Sequence, residues 1–347
     1  MYFVSSTHVL THSYVPPKGR EYIPIGSSFL GKITPKNSIK LTKKHKFMLI
    51  PIGFHQESLV TSLGRMVYYT GDKNLWLNEN QASLESLPNL IFLHGFGGGS
   101  SAYEWSKVYP AFAADYRILA PDLIGWGRSE HPAMNYTVDD YIKILIEFLE
   151  ETSQEPCTVI ASSLTAAFTI RAAILRPELF KSLILTLPSG LSDFGQNYAG
   201  NFLAQLVNIP IIDKFFYNVG VANSEGIKIF LEQRQFADAR RIYPEIIEAY
   251  LESALQPNAE YAALSFVRGD LCFDLSLYIS QLTIPTAIIW GKKSEFTSPE
   301  TGQRLANLNP DAIRVFQVIE DVGLTPQLEM PGVMIGLIRR FLKLLEE

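Results

Sequence analysis

Cys157-Thr158-Val159-Ile160-Ala161-Ser162-Ser163-Leu164-Thr165-Ala166-Ala167 runs from a strand into a helix through two adjacent serines. Thr158, Val159 and Ile160 are β-branched and suit a strand over 157–161. Residues 164–175 have helical character, and Pro177 stops them. Between the two only Ser162 and Ser163 remain to make the turn.

Working outward, the same strand-then-helix alternation recurs. Buried strands are expected at 89–94, 117–121, 182–187, 285–290 and 313–319, after leading antiparallel strands at 47–52, 57–62 and 65–70. Thr137 followed by Asp140 marks a capping box. Val138, Tyr141, Leu145, Phe148 and Leu149 then recur at helical spacing, and an amphipathic helix over 333–345 closes the chain. This order predicts a mostly parallel, eight-stranded α/β sheet with helices on both faces. Residues 188–284 break the alternation and are helical in character, too long for a plain connection. The expected organisation is an extension at 1–46, a core at 47–187 and 285–347, and an inserted helical cap at 188–284.

Three motifs at strand ends resemble the α/β-hydrolase family, of the capped, small-molecule type, over about residues 55–345. His94-Gly95-Phe96-Gly97 resembles the family's oxyanion loop, Asp122-Leu123-Ile124-Gly125-Trp126-Gly127-Arg128-Ser129 its next loop, and 159–167 its nucleophile elbow. The resemblance implies Ser163 as nucleophile and the Phe96 and Leu164 N–H groups as oxyanion donors. It places Gly95, Ser162, Trp126, Phe202 and Leu206 at the pocket. Thr165 departs from the pattern, because the family usually has glycine there.

The triad implied by the resemblance is incomplete. Its acid belongs three residues after the glycine of Trp290-Gly291, where Ser294 stands, with Glu295 one residue on as a weak acid candidate. Its histidine belongs in Gly323-Leu324-Thr325-Pro326-Gln327-Leu328-Glu329-Met330-Pro331, at Leu324. All six histidines (His8, His12, His45, His55, His94 and His131) precede Ser163 in the chain, whereas the family order is Ser, acid, His. A serine hydroxyl needs a positioned base, so the expectation is a hydrolase scaffold with impaired catalysis that binds a small apolar or ester-like ligand, or a protein partner. The alternative is a serine hydrolase of esters or amides using Ser163 with another base, for which Lys292, Lys293, Glu295 and His131 are the candidates.

The chain has 347 residues, is 47% hydrophobic and carries a net charge of −5. Its two cysteines, Cys157 and Cys272, cannot form a disulfide framework or a CxxC zinc site. No metal or cofactor is expected, since Gly97-Gly98-Gly99 lacks the Lys-Ser/Thr of a phosphate loop. Residues 1–46 hold eight basic side chains against Glu21 alone, leaving −12 on the remainder. That arm reads either as a solvated extension or as a contact for an anionic membrane or an acidic partner. Nucleic acid is not expected as a partner. The chain reads as cytoplasmic, with peripheral membrane association left open.

Overall fold

The computed structural model describes residues 49–77, 83–196, 217 and 221–347. Eight strands form one sheet: β1 Phe54–Thr61, β2 Gly64–Gly71, β3 Asn89–Leu93, β4 Arg117–Pro121, β5 Cys157–Ser162, β6 Phe180–Thr186, β7 Thr286–Gly291 and β8 Ile313–Ile319. Their spatial order is β1-β2-β4-β3-β5-β6-β7-β8. The β1–β2 and β2–β4 pairs are antiparallel and all later pairs are parallel. This is the α/β-hydrolase fold. Among the described residues no helix is long and apolar enough to cross a membrane.

The expected strand at 47–52 does not form over its described part, 49–52; Phe47 and Met48 lie outside the described residues. Pro51 has no N–H to give a ladder, and its carbonyl instead accepts the Phe54 N–H at 3.1 Å, a turn from which β1 departs. The chain's first hairpin therefore begins at Phe54, three residues earlier than expected.

Two apolar layers sandwich the sheet, because the central strands are buried on both faces. On one face Phe148 of helix α1 (Val138–Thr152) and Phe168 of helix α2 (Ser163–Leu175) pack with Trp126 and Leu185. On the other lie Trp105, Tyr109 and Phe112, together with Phe341 of the closing helix Pro331–Glu346. The Trp105 indole donates to Leu93 O at 2.9 Å, which pins the loop after β3 to that strand's end. At the start of α1, Thr137 Oγ1 accepts the Asp140 N–H at 3.2 Å and Asp140 Oδ2 accepts the Thr137 N–H at 2.9 Å.

Between β6 and β7 the described elements are helical, including α3 Ser224–Phe230, a wide π-type turn Leu231–Gln235, α4 Pro244–Ala254 and α5 Ala259–Arg268. These cap elements belong to the same compact unit as the sheet. Gln235, at the end of the π-type turn, reaches back over the strand ends.

Candidate functional site

β5 is buried along its whole length and ends at Ser162, where α2 begins without an intervening loop. Ser163 takes up the change of direction with φ +56°, a left-handed conformation that costs a non-glycine residue about 1–3 kcal/mol. Thr165 is tolerated two residues on, fully buried, although its hydroxyl finds no partner among the described residues. The hydroxyl-bearing apex therefore survives without glycine at this position.

Phe96 is held by four aromatic neighbours: Trp126 at 5.0 Å, Tyr141 at 4.8 Å, Phe168 at 5.5 Å and Phe266 at 6.4 Å between ring centroids. Its backbone is fixed in the loop beside Ser163, and Leu164 lies in the first turn of α2, fully buried. Trp126, expected at the pocket, is only 2% exposed and donates its indole N–H to Tyr141 OH at 3.0 Å. It braces the oxyanion-type loop from the core. Phe202 and Leu206 lie outside the described residues.

Gly95 has Ser163, Ser162 and an unforeseen carboxylate on one side. A methyl group on Gly95 would lie 3.5 Å from Ser163 Cβ, 3.6 Å from Ser162 Oγ and 3.6 Å from Glu104 Oε2. Glu104 is 1% exposed. It accepts the Gly95 N–H at 3.0 Å, the Tyr250 hydroxyl at 3.0 Å and, weakly, the Gln327 side-chain amide at 3.4 Å. Burial pushes its pKa up, against the lowering effect of these donors. The same Gln327 amide stands 3.4 Å from Ser162 Oγ. One visible signal was a charged residue inside the otherwise uncharged run Ala102-Tyr103-Glu104-Trp105, with Trp105 anchoring the loop.

At the implied histidine position, Leu324 is 5% exposed within the apolar core, and its N–H is bonded to Gln235 O at 2.8 Å. Ser294 sits on the adjoining loop, where its N–H donates to Gly291 O at 3.2 Å and its buried hydroxyl has no partner among the described residues. The two loops are pressed together: Lys293 N donates to Val322 O at 2.9 Å, and a side chain on Gly291 would strike Gly323 O at 1.9 Å. The neighbouring Glu329 carboxylate accepts the Gly323 N–H at 2.6 Å and the Ala237 N–H at 2.9 Å, and meets Arg241 at 3.2 Å.

The substitute bases are occupied elsewhere. Glu295, the weak acid candidate, is 60% exposed and faces Arg234 at 3.5 Å. Lys292 and Lys293 are exposed and paired with Glu320 at 2.8 Å and Asp321 at 2.6 Å. His131 is buried, stands 3.2 Å from Gly127 O through Nε2, and has its pKa lowered by burial.

His94 is a structural histidine. Its Nδ1–H donates to Gly95 O at 2.7 Å and its Nε2 accepts the Leu123 N–H at 3.0 Å, tying the two strand-end loops together in the neutral form. Burial brings its pKa down to about 4 from 6.5. The unfolded chain therefore binds a proton that the native state refuses, so stability falls as pH drops from about 6.5 towards 4. The full shift corresponds to about 3 kcal/mol. In urea titrations the stability difference between the wild type and His94→Gln is expected to shrink by about that amount over this window. A pH-independent difference would remove His94 from the acid response.

A family model described as alpha/beta hydrolase fold matches residues 88–217. Epoxide hydrolase 4 of Mus musculus is 25% identical over 297 residues, 81% of this chain and 80% of that protein. The karrikin insensitive 2 receptor IA of Petunia hybrida is 25% identical over 255 residues, 72% of this chain and 89% of that protein. The crystal structure of a serine hydrolase involved in carbazole degradation, the CarC enzyme, aligns with a TM-score of 0.65 at 20% identity, covering 84% of this chain and 99% of that one.

Proposed function

We propose that this chain, which has the α/β-hydrolase fold and carries a buried Leu324 at the position where the resemblance implies a histidine, binds a small, largely apolar ligand beside Ser163 without triad hydrolysis. The burial of Leu324 in the apolar core carries this reading. An alkyl side chain there can fill space but cannot accept the Ser163 proton. Loss of a triad base costs about 10⁶-fold in kcat, and what survives, about 10³ to 10⁴ over water, needs only oxyanion donors and binding. The relatives include one named as an epoxide hydrolase and one named as a receptor, so both kinds of name occur at this level of similarity.

The second reading is an ester or amide hydrolase acting through Ser163 with a non-standard base. It is favoured by the strained φ of Ser163, which holds its hydroxyl at the apex of the direct strand-to-helix turn. Hydrolysis of p-nitrophenyl butyrate by the purified full chain separates the two. Under the first reading Ser163→Ala changes the rate by less than tenfold, and a fluorophosphonate probe leaves Ser163 unlabelled. A loss of 10³-fold or more in Ser163→Ala, with labelling of the wild type, establishes the second.

The basic arm at 1–46 lies outside the described residues. We retain anionic membrane or acidic-partner contact as its proposed role, to be tested by vesicle co-sedimentation of the chain with and without those residues.

A further inference from the structure

Glu104 presents an unusual electrostatic situation. A buried carboxylate is ordinarily matched by a cation or kept neutral by a proton. Among the described residues no Lys, Arg or His side chain forms an ion pair with Glu104; around it stand the Gly95 N–H, Tyr250 hydroxyl and Gln327 amide already described, with the neutral Ser100 hydroxyl also beside it.

Two further acceptors beside it lack donors. Gln327 is fully buried and turns its Nε2 towards Glu104 Oε2 and Ser162 Oγ, leaving Oε1 without a partner among the described residues. The amide orientation follows from the carboxylate, which needs a donor facing it. Gln235 is 2% exposed, its side chain approaches the Tyr250 hydroxyl, and its Oε1 is equally unmatched. Buried acceptors left unsatisfied are destabilising unless something supplies the hydrogen. Gln327 Oε1 and Gln235 Oε1 thus both call for donors, the Ser100 hydroxyl beside them is neutral and can act either way, and a group that donates and carries positive charge would complete the set around the carboxylate.

A primary ammonium group meets that description, being compact and cationic with three N–H donors and no acceptor. We propose that Glu104, Gln327 and Gln235 form the polar end of the Ser163 site and select a ligand with a protonated primary amine on an apolar body. The assignment rests on the ligand-binding reading above and specifies its ligand class. It also gives the oxyanion-type loop a different occupant, since a carboxylate bonded to Gly95 N–H repels an anion brought against the same loop.

Calorimetric titration of the full chain at pH 7 with n-octylammonium, n-octanol and n-octanoate tests the assignment. The expected result is octylammonium binding at least tenfold tighter than octanol, with octanoate weakest. In Glu104→Gln, which keeps the side-chain shape, the preference for the amine over the alcohol should collapse to within about twofold. Gln327→Leu should weaken octylammonium about 3- to 10-fold, and it provides a second reading if Glu104→Gln does not fold. Octanol or octanoate binding as tightly as the amine, no amine binding at all, or a preference that persists in a folded Glu104→Gln would overturn the proposal. The ester assay on the same wild-type protein reports separately on the parent reading, because turnover through Ser163 does not depend on which head group is preferred.

Discussion

Glu329→Ala is expected to lower the stability of the fold by about 3–5 kcal/mol, read as a shift in the urea midpoint. The Glu329 side chain is wholly buried, and it accepts two backbone N–H groups from different parts of the chain, Gly323 and Ala237, besides meeting Arg241. Removing it leaves two buried donors and a guanidinium that is only 22% exposed without their acceptor. Arg241 also donates to Asp321 O at 2.6 Å, so it would keep one partner and hold the loss within that range. Glu329→Gln retains an acceptor for one N–H and should cost less than half as much. A shift below about 1 kcal/mol for the alanine variant would show that the cap and the last loop are held together by other contacts.

The combined change Leu324→His with Ser294→Asp is expected to raise p-nitrophenyl ester hydrolysis by about 10²- to 10⁴-fold, the span usual for a positioned proton acceptor. The carboxylate would meet the imidazole where the Ser294 hydroxyl now lacks a partner, on loops already locked together by Lys293 N–H and Val322 O. Either change alone should give little, because a buried imidazole without its acid lacks the fixed tautomer and a new acid without an imidazole has nothing to orient. Adding Ser163→Ala must abolish the gain. A folded double variant with no increase would mean that Leu324 and Ser163 are out of register for proton transfer.

The legible parts of the molecule were those with local causes. β4 and β8 lie where the apolar runs 117–121 and 313–319 put them, since each is bounded by polar or turn residues. The elbow was readable because strand propensity, small residues and a helix start fall within eleven consecutive positions. The strand expected at 47–52 failed because an apolar run alone does not supply ladder hydrogen bonds once Pro51 interrupts it. Glu104 left only the signal of a lone charge in an uncharged run, because its partners Tyr250 and Gln327 are 146 and 223 positions away and only the closed fold makes them neighbours. A tryptophan beside a strand-end loop fits a pocket wall and a core brace equally well in one dimension, and the bond of Trp126 to Tyr141 is visible only in the fold.

The adjacency of β6 and β7 has a consequence for how the molecule reaches this state. Their paired residues, such as Thr186 and Ile289, are separated by about a hundred positions of intervening chain. During synthesis, β1 to β6 can assemble while the later strands are still inside the ribosome, leaving the outer rim of β6 open. Closing so long a loop is entropically slow relative to local helix formation. Nascent chains halted near residue 280 should therefore be prone to self-association through that rim, and should depend on holdase chaperones until β7 emerges to cover it.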